Sequence, residues 1–195
     1  MYEYTDKVME AVNRKVVREF DKLKRSILSF DEINAVRTSV NRCYKAVLKE
    51  VTAAYLKIAI YYYKKAGGDT KDMIIVLENI LGGYNPVTKY VFNAEWDRKR
   101  SRAFESIVAG KTYSEVDKAA RILSRQIAQF ADEATDTATL LGYEDSDIDS
   151  VQWVAKNDFK VCEECWDRNG NIYPITAVPP KPHPRCRCEF KPIHQ

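Results

Sequence analysis

Four of the five cysteines, Cys162, Cys165, Cys186 and Cys188, fall with His183 in the last 34 of 195 positions, spaced C-x2-C-x17-H-x2-C-x-C. Two thiolates at C-x2-C reach one tetrahedral ion because the turn between them points both sulfurs inward. A second pair of ligands from a distant strand closes such a site. Five side chains compete here for four positions. Cys162 and Cys165 form the leading pair. Three cysteines with His183, or four cysteines with His183 beside them, both complete a tetrahedron. Cys186 and Cys188 would face one side of a strand, so their spacing does not choose between them. In a reducing cytoplasm a structural zinc is expected in preference to a disulfide. A cysteine nucleophile with His183 as its base is the weaker expectation, because a closed, thiolate-rich site lacks the open position that catalysis needs. His194 reads as an exposed tail residue.

The elements that must position these ligands follow from the surrounding composition. Six of the seven prolines lie in the final 22 residues, and the character of the chain changes near residue 148. Residues 1–148 are therefore expected to form a helical domain and 149–195 a small Cys/His-rich β module. Val151-Gln-Trp-Val-Ala reads as a strand. Asn169-Gly170 between aromatic and apolar flanks is a hairpin signal, since a type I′ turn needs positive φ at both central residues. A segment this short and poor in aliphatics cannot build an adequate core, so a metal staple is expected.

The rest of the chain predicts a mainly α fold of about five long amphipathic helices. Val8, Val12, Val16, Phe20, Leu23 and Ile27 recur at helical spacing. Ser29 with Glu32 is a capping box that opens a second helix, whose stripe runs Ile33, Val36, Val40, Cys43, Val47, Val51, Ala54/Tyr55 and Ile58 and stops at Gly67-Gly68. A shorter helix is expected over residues 69–81. Asn85-Pro86 opens another, reaching about Ala109. Thr112 with Glu115 caps the last, with the stripe Val116, Ala120, Leu123, Ile127, Phe130, Ala134, Ala138 and Leu141 and a stop at Gly142. These stripes are read as core, and Cys43 as a small buried hydrophobe. Tyr61-Tyr62-Tyr63 reads either as half-buried packing or as an aromatic contact surface.

Composition narrows the function classes. With 45% hydrophobic and 30% charged residues the chain is not disordered throughout. Neither GxGxxG nor a P-loop occurs, which excludes the glycine-rich phosphate cradles. A formal charge of +3 is too small to imply nucleic acid by itself. Arg98, Lys99, Arg100 and Arg102 form a basic cluster, while residues 131–149 carry seven acids and no base. Two histidines offer little raw material for general acid–base work, so a conventional enzyme is not expected. The N-terminal residues lack a secretory apolar core, and Val51–Tyr63 is interrupted by Lys57 and falls short of the roughly 20 residues that span a bilayer. A cytoplasmic chain with no membrane contact is expected.

One string is more specific than its metal spacing. Trp153, Asp158-Phe-Lys-Val-Cys162-Glu-Glu-Cys165, Asn169-Gly170 and Pro179-Pro-Lys-Pro-His183-Pro-Arg-Cys186-Arg-Cys188 resemble the C-terminal signature of the phage Mu F-like minor head proteins, also called head morphogenesis proteins. That pattern has a Trp, a C-x2-C, a Gly five residues after the second Cys, and a Pro-rich HPxCRC. Gly170 and residues 183–188 fit it, and the match covers about 40 residues. The run from Thr112 to Gly142 is similar to the family in layout, and the first 110 residues carry no signature. The resemblance implies a low-copy structural protein of a tailed phage or prophage, associated with the portal protein and other head proteins. It implies a place in the virion or prohead, in the host cytoplasm during assembly, and contact with packaged DNA or its ejection. It transfers no catalytic residue and no small-molecule substrate.

A reading from another class is a nucleic-acid-binding zinc module on a helical stalk. Lys156, Lys160, Arg168, Lys181, Arg185, Arg187 and Lys191 would meet phosphates, with Tyr173 and Phe190 as stacking rings. Asp158, Glu163, Glu164, Asp167 and Glu189 largely offset that charge. A nuclease or metal hydrolase is the least supported class, for want of a paired carboxylate–histidine constellation.

Overall fold

The helical stripes fold onto one another in a computed structural model that describes residues 2–27, 33–69, 71, 102–183 and 186–194. Helix α1 is Glu3–Ile27, α2 is Ile33–Lys65, α3 covers residues 102–110 and α4 is Tyr113–Asp145. The small module follows as β1 (Ser150–Val154), α5 (Glu163–Asp167), β2 (Ile172–Pro174), a 3-10 turn (Ile175–Ala177) and β3 (Glu189–Ile193). The Ser29 cap, most of the helix expected over residues 69–81, the Asn85-Pro86 start and Arg98, Lys99 and Arg100 lie outside the described residues. The protein is mainly α-helical with a small C-terminal sheet, as expected from its periodicity.

Val12, Val16, Phe20, Leu23 and Ile27 of α1 are buried against the α2 stripe and against Val116, Leu123, Ile127, Phe130, Ala134 and Ala138 of α4. Each large aliphatic or aromatic side chain taken out of water there contributes about 1.5–3 kcal/mol. The pairings fix the helix directions. Tyr4 stacks on Tyr61 at 3.9 Å while Lys15 meets Glu50, so α1 and α2 run antiparallel. The Tyr55 hydroxyl donates to Ile127 O at 2.8 Å and Tyr63 Oη to Asp145 at 3.0 Å, so α2 and α4 run parallel. Of the tyrosine run, Tyr62 and Tyr63 are buried and Tyr61 lies against Tyr4, which makes it packing. Cys43 is buried as expected, and burial pushes its thiol up to about 12.

The helix ends agree with the caps except at Gly142. Gly67, at φ +99°, turns the chain after α2, and Gly68 N donates back to Tyr63 O at 3.0 Å. Thr112 caps α4, its hydroxyl accepting from Glu115 N at 3.3 Å. Gly142 was expected to stop α4, but the helix continues to Asp145. A Cβ on Gly142 would stand 2.5 Å from Tyr63 O, so this glycine lets α2 and α4 touch backbone to side. Beyond the crossing, Asp145 accepts from Asp69 N at 2.6 Å and Ser146 Oγ donates to Ala66 O at 3.1 Å, locking the two C-termini together.

The last turns of α4 carry the module. Leu140 leaves the helical core and packs with Val151, Trp153, Ile175, Val178 and Phe190, with Tyr143 and Ile148 at the edge. The sheet has the order β2-β1-β3, antiparallel throughout, with Trp153 opposite Phe190 and Val151 opposite Tyr173. The Trp153 and Phe190 rings meet edge to face at 5.3 Å. Asn169-Gly170 differs from the expected two-residue hairpin loop. Its N-terminal flank is the helix α5, and only Gly170 of the pair has positive φ, at +85°. Gly170 N donates to Trp153 O and Trp153 N to Asn171 O, both at 2.8 Å, so the turn feeds β2 onto β1 directly.

Candidate metal centre

All five sequence candidates gather between α5, the proline-rich loop and the start of β3. Cys162 is the N-cap of α5, and its Sγ accepts from Cys165 N at 3.4 Å. That contact closes the C-x2-C turn and aims both sulfurs at one point. Cys165 is buried in α5. The Pro-rich loop brings His183 Nε2 to 3.7 Å from Cys165 Sγ, and Cys186 Sγ comes within 3.4 Å of the same sulfur. Cys186 and Cys188, one residue apart just ahead of β3, are both buried and both face inward. The ligand atoms of Cys162, Cys165 and His183 lie within 4.8 Å of one another, as do those of Cys165, Cys186 and Cys188. Cys165 is thus the common vertex of two triangles. His194 is exposed in the tail, as expected.

This Cys/His cluster could hold a metal ion. The donors are sulfur and imidazole nitrogen, a set that suits a borderline or soft ion better than oxygen-seeking Mg²⁺ or Ca²⁺. Burial pushes the Cys165 thiol up to about 12, and Cys186 is held above the ordinary thiol range chiefly by its hydrogen bond with Cys188. Cys188 is pulled below that range by hydrogen bonds from Cys186 and then Cys165, with the Trp153 indole beside it and the Lys181 charge acting the same way. The Trp153 Nε1–H is buried and has no hydrogen-bond partner of its own. A thiolate bound to a cation stays anionic and accepts N–H donors, so an orphaned indole N–H beside Cys188 fits an occupied site.

Of the cations assigned to phosphate contacts, Lys156, Lys160 and Lys191 are exposed and Arg185 lies outside the described residues, while Lys181, Arg187 and Arg168 have partners within the fold. Lys181 is a buried side chain with 10% exposure, ion-paired at 2.8 Å to Asp136 of α4, itself 4% exposed. Lys181 Nζ also donates to the Tyr2 hydroxyl and sits over the Tyr2 and Phe190 rings at 4.6 and 5.2 Å. Tyr2 Oη donates to Asp136 Oδ1 at 2.6 Å. Burial opposes both charges, lowering Lys181 to about 8 and raising Asp136 well above the carboxylate range, with Asp132 and Glu133 pushing Asp136 the same way. Arg187 forms a two-bond bridge to Asp158 at 2.6 and 2.7 Å, and this pairing holds that carboxyl down at about 2. Arg168 is tied to Glu164 and to Pro180 O and lies over Trp153 at 5.1 Å. Phe190 is buried and Tyr173 half-buried beside Trp153, so neither offers an open stacking face.

No family model, curated protein or solved structure matches the chain. A functional reading therefore rests on the motif and on the geometry it produces. Sequence reasoning missed Asp136 and Tyr2. The signal for Asp136 was present: it lies between Ala134 and Ala138 of the α4 stripe, where an unpaired carboxylate would be costly.

Proposed function

We propose that the chain is a minor head protein of a tailed phage or prophage that associates with the portal during prohead assembly, its C-terminal module stapled by zinc. The observation that carries this reading is the convergence of the signature itself. Cys162 and Cys165 of the C-x2-C and His183, Cys186 and Cys188 of the HPxCRC, distant in sequence, meet as two ligand triangles that share Cys165, and the Trp of the same signature packs with the buried cysteines. Tetrahedral sulfur–nitrogen sets of this kind are closed structural zinc sites that contribute folding free energy directly. The zinc role is therefore to fix the module against the end of α4, and the long helices α1, α2 and α4 supply the extended surface for a head protein partner. The reading is structural and non-enzymatic. Peptide mass spectrometry of purified proheads and virions from the encoding phage tests it. A low, fixed ratio to portal protein in either particle supports it, and absence from both overturns it.

One observation favours the nucleic-acid reading as the alternative. Phe159 is 93% exposed, with Lys160 Nζ 5.6 Å from its ring centroid and Lys156 exposed nearby. An open ring among lysines is the form of a base-stacking contact. Binding whose log affinity falls steeply with log salt would support it, and no binding at about 50 mM salt removes it.

A further inference from the structure

We infer that Cys165 and Cys186 form a redox-exchangeable staple. Zinc joins them in a reducing cytoplasm, and a disulfide between the same two sulfurs replaces the ion in an oxidising exterior. This rests on the head-protein and metal readings above. Disulfides persist on virion surfaces and are rare in the cytosol, so a head protein carried from one to the other passes through both regimes. Cys165 Sγ and Cys186 Sγ stand 3.4 Å apart with no bond between them. A disulfide needs about 2.05 Å, so rotation of the two side chains has to close about 1.4 Å. The pair also joins what the ion would join: Cys165 lies in α5, and Cys186 lies 21 positions on, just ahead of β3.

Cys165 and Cys186 are each 2% exposed, whereas Cys162 is only half-buried, so Cys162 meets an external oxidant first. Its thiolate attacks one sulfur of a low-molecular-weight disulfide such as oxidised glutathione, and one glutathione thiolate leaves. Cys165, whose sulfur lies within 4.8 Å of that of Cys162, then attacks Cys162 Sγ and expels the second glutathione thiolate. Cys186 attacks Cys165 Sγ from 3.4 Å and returns Cys162 to the thiolate. The sum is two cysteine thiolates oxidised to one disulfide and one glutathione disulfide reduced to two thiolates. Cys162, His183 and Cys188 remain, one donor short of a tetrahedron, so the ion leaves. The new bond ties α5 to the start of β3, which a Cys162–Cys165 bond within one turn does not. In the chain-entropy account, closing a loop of about 20 residues favours the folded module on the order of 100-fold.

The test is incubation of the zinc-loaded full-length chain with excess oxidised glutathione under native conditions. A chromogenic chelator reports zinc, and non-reducing peptide mass spectrometry reports the bond. Cleavage after Glu164 separates Cys162 from Cys165, and cleavage after Arg187 separates Cys186 from Cys188, so each pairing has its own mass. The expected result is one zinc released per chain, a Cys165–Cys186 link, and amide exchange that stays slow across β1 and β3. Zinc released with only a Cys162–Cys165 or Cys186–Cys188 link, or with β1 and β3 exchanging freely, overturns the inference while the metal reading stands. So does a chain that keeps its zinc and its thiols. A chain purified without zinc overturns the metal reading, and the zinc-for-disulfide exchange with it. In virions alkylated before disruption the same link is expected, and Cys165 and Cys186 both alkylated there would overturn the inference with the chain still present as a head protein.

Discussion

Replacing Gly142 by alanine probes the joint from which the module is launched. The added methyl would stand 2.5 Å from Tyr63 O, 2.7 Å from Ala66 Cβ and 3.2 Å from Tyr63 C. Carbon atoms rest at about 3.5–4.0 Å, so α2 and α4 must part by roughly 1 Å. Neither obstacle is free to yield. Tyr63 O already accepts from Gly68 N at 3.0 Å and Ala66 N at 3.2 Å, and Ala66 O is bound by Ser146 Oγ. Overpacking of this kind costs about 1–3 kcal/mol, and with backbone as the obstacle the upper end applies. Alanine returns about 1 kcal/mol in helix propensity, which leaves a net loss of about 1–2 kcal/mol. For a chain of this size that is a Tm lowered by about 2–8 °C. Gly110→Ala is the control, because a Cβ there meets only the movable Glu115 side chain, 2.8 Å away at Cγ. It is expected to leave Tm level or raise it. Thermal unfolding followed at 222 nm decides the matter, and a Gly142→Ala chain as stable as the parent would refute the close-approach account.

Cys165→Ser removes the vertex common to both ligand triangles and is expected to abolish zinc binding and disorder the module, while circular dichroism retains most of the helical signal. Glu133 is raised by burial from 4.5 to about 7. An acid whose folded-state value is raised binds its proton more tightly when folded, so stability falls as pH rises from about 4.5 to 7 and stays lost above. Glu133→Gln keeps the acceptor for Gln129 and is expected to flatten that fall by about 1–3 kcal/mol in urea titrations across the window. A pH profile identical to the parent's would contradict the burial account.

Much of the helical part was legible because its stripes are long and periodic. The Thr112 cap and the Gly67-Gly68 stop were read correctly, since each satisfies backbone groups locally. Gly142 was misread because a glycine required by a neighbouring helix carries no local mark that separates it from one that ends a helix. Asn169-Gly170 misled for a related reason: Cys162 caps a helical turn before it, and the ligand geometry outranks the turn preference. The five candidate ligands were legible from spacing, and their division into two triangles about Cys165 was not, because that depends on how the loop through His183 closes. The buried Lys181–Asp136 pair was hidden by sequence distance. Lysines in a proline-rich loop read as solvent-facing until the loop is seen packed against α4.

The central claim is that the signature residues form a zinc centre, and native mass spectrometry of the purified full-length chain tests it most directly. The account predicts one zinc per chain, released on denaturation and absent from the Cys165→Ser chain. A metal-free chain whose Cys162, Cys165, Cys186 and Cys188 react freely with a thiol reagent under native conditions would contradict it.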